Sequence, residues 1–87
     1  MSRRKVYIVK SGTLHKTEQR YWLSPTYHTS KKGALAYAEL ILKVNQATNI
    51  LERETHGDKE LRWVDYNGEE GKYLARILVE WDYINSY

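Results

Sequence analysis

The 87-residue sequence contains no cysteine, no phenylalanine, one proline and five glycines. Without cysteine the chain forms no disulfide, thiolate zinc site, iron–sulfur cluster or cysteine nucleophile, and its simplest interpretation is a cytoplasmic protein. No apolar run approaches the roughly 18 residues of a membrane span, and the first five residues lack the apolar stretch of a signal peptide. We therefore expect no contact with a membrane.

The length also limits the kind of protein this is. A chain of this size buries only a little over ~60% of its unfolded surface, which leaves little interior for a multi-step active site. With 41% hydrophobic and 29% charged residues, the composition is typical of a globular domain and excludes a disordered chain. We expect one domain over residues 1–87, in which residues 1–4 form either a disordered basic tail or a grasping arm.

Charge is unevenly distributed along the chain. Residues 1–32 carry eight Lys or Arg and one Glu, a net charge of +7, whereas residues 33–87 carry six Lys or Arg and ten carboxylates, a net charge of −4. The positive field of such a basic half attracts phosphate groups or an acidic protein surface. The alternative is that the two halves pack together and partly neutralise each other.

The hydrophobic pattern predicts a small α+β domain. Ser30 is the expected N-cap of the helix, and residues 49–60 either extend that helix or form a further strand. The order β-β-α-β-β predicts an antiparallel sheet of about four strands with one helix packed across it. The predicted strands cover residues 5–10, 20–24, 61–66 and 72–84, and the predicted helix covers residues 34–48.

The same pattern predicts which side chains are buried. Alternation in the last strand favours a core face made of Tyr73, Ala75, Ile77, Val79, Trp81 and Tyr83. Helical spacing favours a buried face made of Ala34, Leu35, Tyr37, Ala38, Ile41, Leu42, Val44 and Asn45. Because large aromatic rings dominate small cores, we expect Trp22, Trp63 and Trp81 to be core residues.

Motifs of catalysis are absent from the sequence. The three histidines have no metal-ligand spacing, and there is no glycine-rich phosphate loop, nucleophile elbow or helical His-Glu-x-x-His. We therefore expect a protein that is not an enzyme, with no catalytic residue, metal or cofactor. Were the chain a small nuclease, His15, His28 and Glu18 would be the first candidates.

The aromatic residues provide the clearest functional signal. All of them are tyrosine or tryptophan, eight and three respectively, and these side chains are enriched where proteins grip other macromolecules. Interleaved aromatic and basic residues on a sheet either dock onto a protein or stack bases and hold phosphates. The predicted partner-binding residues are Arg3, Arg4, Lys5, Arg20, Tyr21, Tyr27, His28, Lys31 and Lys32.

Several segments resemble small bacteriophage-encoded α+β proteins. The resemblance lies in residues 6–12 (VYIVKSG), in residues 26–34 (TYHTSKKGA) leading into a helix with Tyr37 and Ala38, and in the closing strand at residues 77–81 (ILVEW). The chain departs from the pattern in residues 49–60 and in the extra strand at Trp63. Some proteins of this type inhibit host defence, including anti-CRISPR proteins that bind a nuclease or its guide complex. The resemblance further implies the cytoplasm of the host cell as the location.

Together these features predict a binding protein of the phage type that inhibits a bacterial host macromolecule by occluding its surface. The expected partner is a host protein or nucleoprotein complex, with a CRISPR-type defence nuclease as the example that the resemblance implies. The alternative is a single-stranded DNA-binding or RNA-binding domain that uses a basic, aromatic sheet face. The chain is expected to be a monomer or a small homo-oligomer, since the last hairpin offers an edge for strand pairing.

Overall fold

A computed structural model describes residues 2–15, 17, 20–69, 71 and 73–86, and it describes side chains for residues 4–14, 17, 20–69, 71 and 73–84. These residues form one helix and five strands. The elements are β1 (Ser2–His15), β2 (Arg20–His28), α1 (Lys31–Val44), β3 (Thr48–Arg53), β4 (Glu60–Gly68) and β5 (Tyr73–Ser86).

The strands form a single antiparallel sheet in the order β2-β1-β5-β4-β3. At its centre β1 and β5 pair from Ser2 opposite Ser86 to Thr13 opposite Ala75. The helix connects the two edge strands, β2 and β3, and packs across one face, which we call the covered face. Among the described residues no second layer packs on the opposite face, which we call the uncovered face.

Local sequence defines both ends of the helix. Ser30 is the N-cap, and its hydroxyl accepts a hydrogen bond from the Gly33 amide at 3.0 Å. At the other end, the Asn45 side chain donates to the Ile41 carbonyl at 3.0 Å and to the Tyr66 hydroxyl at 3.2 Å. The Tyr73 hydroxyl donates back to Asn45 at 3.2 Å. The last turn of the helix is thereby fixed to β4 and β5.

The core consists mainly of small aliphatic side chains on the covered face. Strand alternation places one set of residues against the helix, and full burial of each large aliphatic side chain contributes about 1.5–3 kcal/mol. The buried residues are Val9, Ala34, Ala38, Leu42, Val64, Tyr66, Ala75, Ile77 and Val79.

A glycine permits the close approach of β1 and β2. A Cβ atom on Gly12 would lie 1.5 Å from the carbonyl oxygen of Trp22 and 2.6 Å from its carbonyl carbon. Any other residue at this position must push the two strands apart. The glycine is therefore required by the pairing itself.

The structure corrects the prediction in the number of strands. It has five rather than about four, because residues 49–53 of the segment left open form edge strand β3 together with Thr48. Thr48 was predicted as the end of the helix, which instead ends at Val44. The predicted first strand also extends in both directions, so that residues 2–4, considered as a tail or arm, pair with β5. Met1 lies outside the described residues.

Burial follows the predicted pattern in the middle of β5, at Ala75, Ile77 and Val79, but fails for Tyr83, which is 43% exposed, and for the tryptophans. Trp22 is 52% exposed, and Trp63 and Trp81 are only half-buried. Ala34 and Ala38 bring the helix backbone close to the sheet, and small residues fill the layer between them. Trp63 lies outside this layer, because it alternates with the buried Val64 and therefore points to the uncovered face. Val44, expected on the buried helix face, is 69% exposed.

Candidate functional site

Three basic side chains predicted to bind a partner line one groove, and two more lie in the helix turn that follows it in sequence. The pairing of Tyr7 with His28 places the end of β2 beside the beginning of β1, and the helix begins three residues after His28. A groove of about 380 Å³ at this end is lined by Arg4, Lys5, Val6, His28, Thr29 and Ile84. We call the cluster of Arg4, Lys5, His28, Lys31 and Lys32 the basic end.

The first turn of the helix strengthens the positive field of the basic end. It contains Lys31 and Lys32 and no acidic residue, although a helix N-terminus is itself partly positive and favours carboxylates. Both lysines are exposed, and within the described residues neither they nor Arg4 form an ion pair. These three cations are therefore available to an external anion.

Two members of the basic end also have structural contacts. The Lys5 ammonium lies 4.5 Å from the centre of the Trp81 ring, a cation–π contact. The His28 ring packs against Tyr37 with 5.0 Å between ring centres, and its Nε2 lies 2.9 Å from the Thr26 hydroxyl. His28 thus connects β2 to the helix, and its role at this end is mainly structural.

The remaining predicted residues lie elsewhere or on another face. Tyr27 points to the uncovered face next to the basic end and is 67% exposed. Arg20 and Tyr21 lie at the far end of β2, where the Arg20 guanidinium contacts the Trp22 ring at 4.8 Å. The side chains of Arg3 and His15 lie outside the described residues, as does Glu18. Of the three nuclease candidates, only His28 has a described side chain.

A second cluster, which the sequence analysis missed, lies on the uncovered face. The Arg76 guanidinium is 4.0 Å from the centre of the Tyr21 ring and 4.6 Å from that of Trp63, so it lies between two aromatic rings. His56 meets Trp63 edge to face, with 6.1 Å between ring centres. We call Tyr21, Arg76, Trp63 and His56 the arginine–aromatic row.

One carboxylate holds the arginines of this region. Asp65 accepts hydrogen bonds from Arg53 Nε at 2.9 Å and from Arg76 Nε and Nη2 at 2.8 and 3.2 Å. Burial of Asp65 opposes its ionisation, but these bonds prevail and lower the pKa of its carboxyl group. Burial, with the charge of Asp65, raises the pKa of the Tyr21 hydroxyl. The cluster is thus a fixed arrangement of charges at neutral pH.

Other charges of the uncovered face are also paired. Lys10 on β1 contacts Glu80 on β5 at 2.5 Å. Away from the basic end, the face therefore presents apolar and aromatic surface with locally balanced charge. Its exposed apolar residues include Tyr27, Leu51, Leu74 and Ile84.

The described residues contain no cluster of three or more histidine, aspartate or glutamate side chains able to hold a metal ion. Within the same part of the chain, α1 is too short and too polar to cross a bilayer. The chain matches no protein-family model, no curated protein and no solved structure.

Proposed function

We propose that this chain is a non-enzymatic binding protein that attaches to an acidic protein surface through the basic end and the neighbouring Tyr27. The observation that carries this proposal is that Arg4 and His28 line one groove and that the helix carrying Lys31 and Lys32 begins three residues after His28. Arg4, Lys31 and Lys32 have no ion pairs in the described part of the chain, and Tyr27, next to His28 in β2, is exposed. Exposed aromatic side chains bordered by cations are typical of binding hot spots, where the ring supplies contact area and the charges orient the partner.

The position of the two lysines supports a binding role. Each cation in the first turn of a helix costs about 0.3–1 kcal/mol of stability relative to a neutral residue. The helix is capped by Ser30 and tied to the sheet by Asn45, so it tolerates this cost. An anionic partner would relieve the repulsion between the two lysines and the positive end of the helix, and this relief would strengthen binding.

A protein partner fits the surface better than a long nucleic acid strand. Single-strand binding grooves combine positive charge along their length with several open stacking rings. On the uncovered face, however, Lys10 is paired with Glu80, and Arg53 and Arg76 share Asp65. Among the described side chains, Arg4, Lys31 and Lys32 of the basic end carry no ion pair, which suits a local acidic patch.

The target and its inhibition are proposed from the resemblance to phage-encoded proteins. We place the target among bacterial host macromolecules, with a CRISPR-type defence nuclease as the leading candidate, and propose that attachment occludes its working surface. A rigid sheet with its outer face exposed is suited to this role, because it can cover a site without contributing chemistry.

The test compares Lys31→Glu/Lys32→Glu with the control Lys43→Glu. Tagged proteins are used to capture partners from a bacterial lysate treated with nuclease, followed by mass spectrometry and titration of the purified partner. Glutamates in the first turn favour the helix dipole, so the double variant should unfold at a higher temperature than the wild type. We expect it to bind at least tenfold more weakly, because two charge reversals oppose an acidic partner.

Lys43, at the other end of the helix, has no contact with a charged group among the described residues, and reversing it should leave binding within twofold of wild type. Equal losses in both variants would refute the basic end as the site. Loss of all protein partners after nuclease treatment would instead favour the single-stranded nucleic-acid alternative, which also requires a steep fall in affinity with salt.

A further inference from the structure

A second pocket opens beside the arginine–aromatic row, away from the basic end. It has a volume of about 360 Å³ and is lined by Arg53, Glu54, His56, Trp63 and Arg76. The register places Trp63 beside Leu78 on β5, whereas Arg4 of the basic end pairs with Ile84, six residues further along the same strand. The two sites are therefore separate on the sheet.

The donors in this pocket are held in place before any ligand arrives. Asp65 fixes both guanidinium groups, Arg53 through Nε and Arg76 through Nε and Nη2. The outer nitrogens of Arg53 form no hydrogen bond within the described residues, and this side chain is 48% exposed. Because Arg53 and Arg76 share the Asp65 carboxylate, the two outer nitrogens of Arg53 can donate to a carboxylate or phosphate group of a ligand.

The walls of the pocket add two kinds of recognition. Trp63 and His56 supply aromatic surface, which packs against planar rings. Glu54 is an exposed carboxylate with no partner among the described residues, and carboxylates accept hydrogen bonds from amino and imino groups. A ligand that satisfies all three features has a planar ring with N–H donors and an anionic group.

From this geometry we propose that the pocket binds a single guanine nucleotide. The base lies against Trp63 and His56, its N–H edge faces Glu54, and the phosphate is held by Arg53 and Arg76. Guanine is the base whose pairing edge offers an imino and an amino donor side by side, which matches one carboxylate. The volume lies at the lower end of small-ligand pockets, consistent with one nucleotide.

The pocket is tested by titrating the ¹⁵N-labelled protein with GMP and following the indole N–H resonance of Trp63 and the backbone amides of Arg53, His56 and Arg76. We expect saturable shifts confined to this region at concentrations up to about 5 mM. Guanosine and inorganic phosphate, each lacking half of the ligand, should bind at least tenfold more weakly. IMP, which lacks only the amino group, should bind several-fold more weakly than GMP.

Two variants at the pocket rim keep the test independent of folding. Arg53→Gln leaves Asp65 paired with Arg76 and should weaken GMP binding about tenfold or more, because a charge-assisted contact to phosphate is lost. His56→Ala, in the loop before β4, should weaken it several-fold. The control Lys43→Gln should leave the affinity unchanged.

A 5′-phosphorylated trinucleotide that begins with guanine tests whether the ligand is a free nucleotide or the end of a nucleic-acid strand. Affinity equal to that of GMP identifies a free nucleotide as sufficient, whereas tighter binding with shifts spreading along the sheet identifies the end of a strand. The proposal is overturned if GMP produces no saturable shift, if Arg53→Gln and Lys43→Gln bind alike, or if phosphate alone reproduces the GMP shifts.

Discussion

Replacing Asp65 with asparagine tests the polar cluster that orders the uncovered face. The substitution preserves side-chain size and removes the charge that holds Arg53 and Arg76. The side chains of Asp65 and Arg76 are only 15% and 24% exposed, so water replaces these contacts incompletely. Hydrogen bonds to charged groups contribute about 1.5–3 kcal/mol, and the share of Arg53 is reduced by solvent screening. We therefore expect Asp65→Asn to lower the free energy of unfolding by about 2 kcal/mol in total.

Urea unfolding at neutral pH, followed by tryptophan fluorescence and circular dichroism, measures this loss. It would be a large part of the roughly 5–15 kcal/mol that stabilises a domain, and it corresponds to a fall in melting temperature of about 8–16 °C. The control is Asp58→Asn, an exposed loop carboxylate that should change stability by less than about 0.5 kcal/mol. A loss for Asp65→Asn no larger than that of the control would refute the reasoning.

The same variant predicts a pH dependence. Burial opposes ionisation of Asp65, but hydrogen bonds from Arg76 and Arg53 place its folded pKa below the ordinary value of 3.8. Its contribution is therefore complete above that value and is lost as the pH falls through the lower folded pKa. The stability gap between wild type and Asp65→Asn should be constant near neutrality and close only in strong acid. A gap that closed near neutral pH would contradict this assignment.

Two further substitutions test the packing by the same urea titration. Gly12→Ala should cost about 3 kcal/mol or more, because the added methyl would overlap the Trp22 carbonyl group; a stable variant with unchanged β1–β2 amide shifts would contradict the close approach. Ile77→Ala should cost about 2–5 kcal/mol, since Ile77 is fully buried, whereas Ile84→Ala on the same strand, 47% exposed, should cost far less. Equal losses at the two isoleucines would contradict the assignment of the core.

The sequence predicted core residues and the helix cap correctly where the local hydrophobic pattern matches the burial of the side chains. The alternation in β5 predicted Ala75, Ile77 and Val79 as core residues, and Ser30 was recognisable as a cap. Strand β3 carried no such signal, because all six of its residues are exposed at the sheet edge and neither face selects apolar side chains. Positive φ angles at Gln46 and Asn49 further obscure the boundary between helix and strand.

The clusters depend on pairing between distant segments, which one sequence does not reveal. The residues of the basic end could be predicted from the sequence, because its cations all lie within the first 32 residues of the chain. The arginine–aromatic row could not, since Tyr21, Trp63 and Arg76 come from three strands and meet only through the order of the sheet. Asp65, which organises this row, looks like any strand carboxylate in the sequence.

The pairing of the first strand with the last has a consequence for how the chain folds. Residues 16–72 separate β1 from β5 in the sequence. The two strands can therefore pair only after β5 has been synthesised. Contacts of such long range slow folding, and relaxation times of milliseconds to seconds are expected where local helical proteins need microseconds. During synthesis on the ribosome, the edge of β1 that faces β5 therefore stays unpaired until β5 has emerged. Refolding from denaturant should be correspondingly prone to intermolecular strand pairing at high protein concentration.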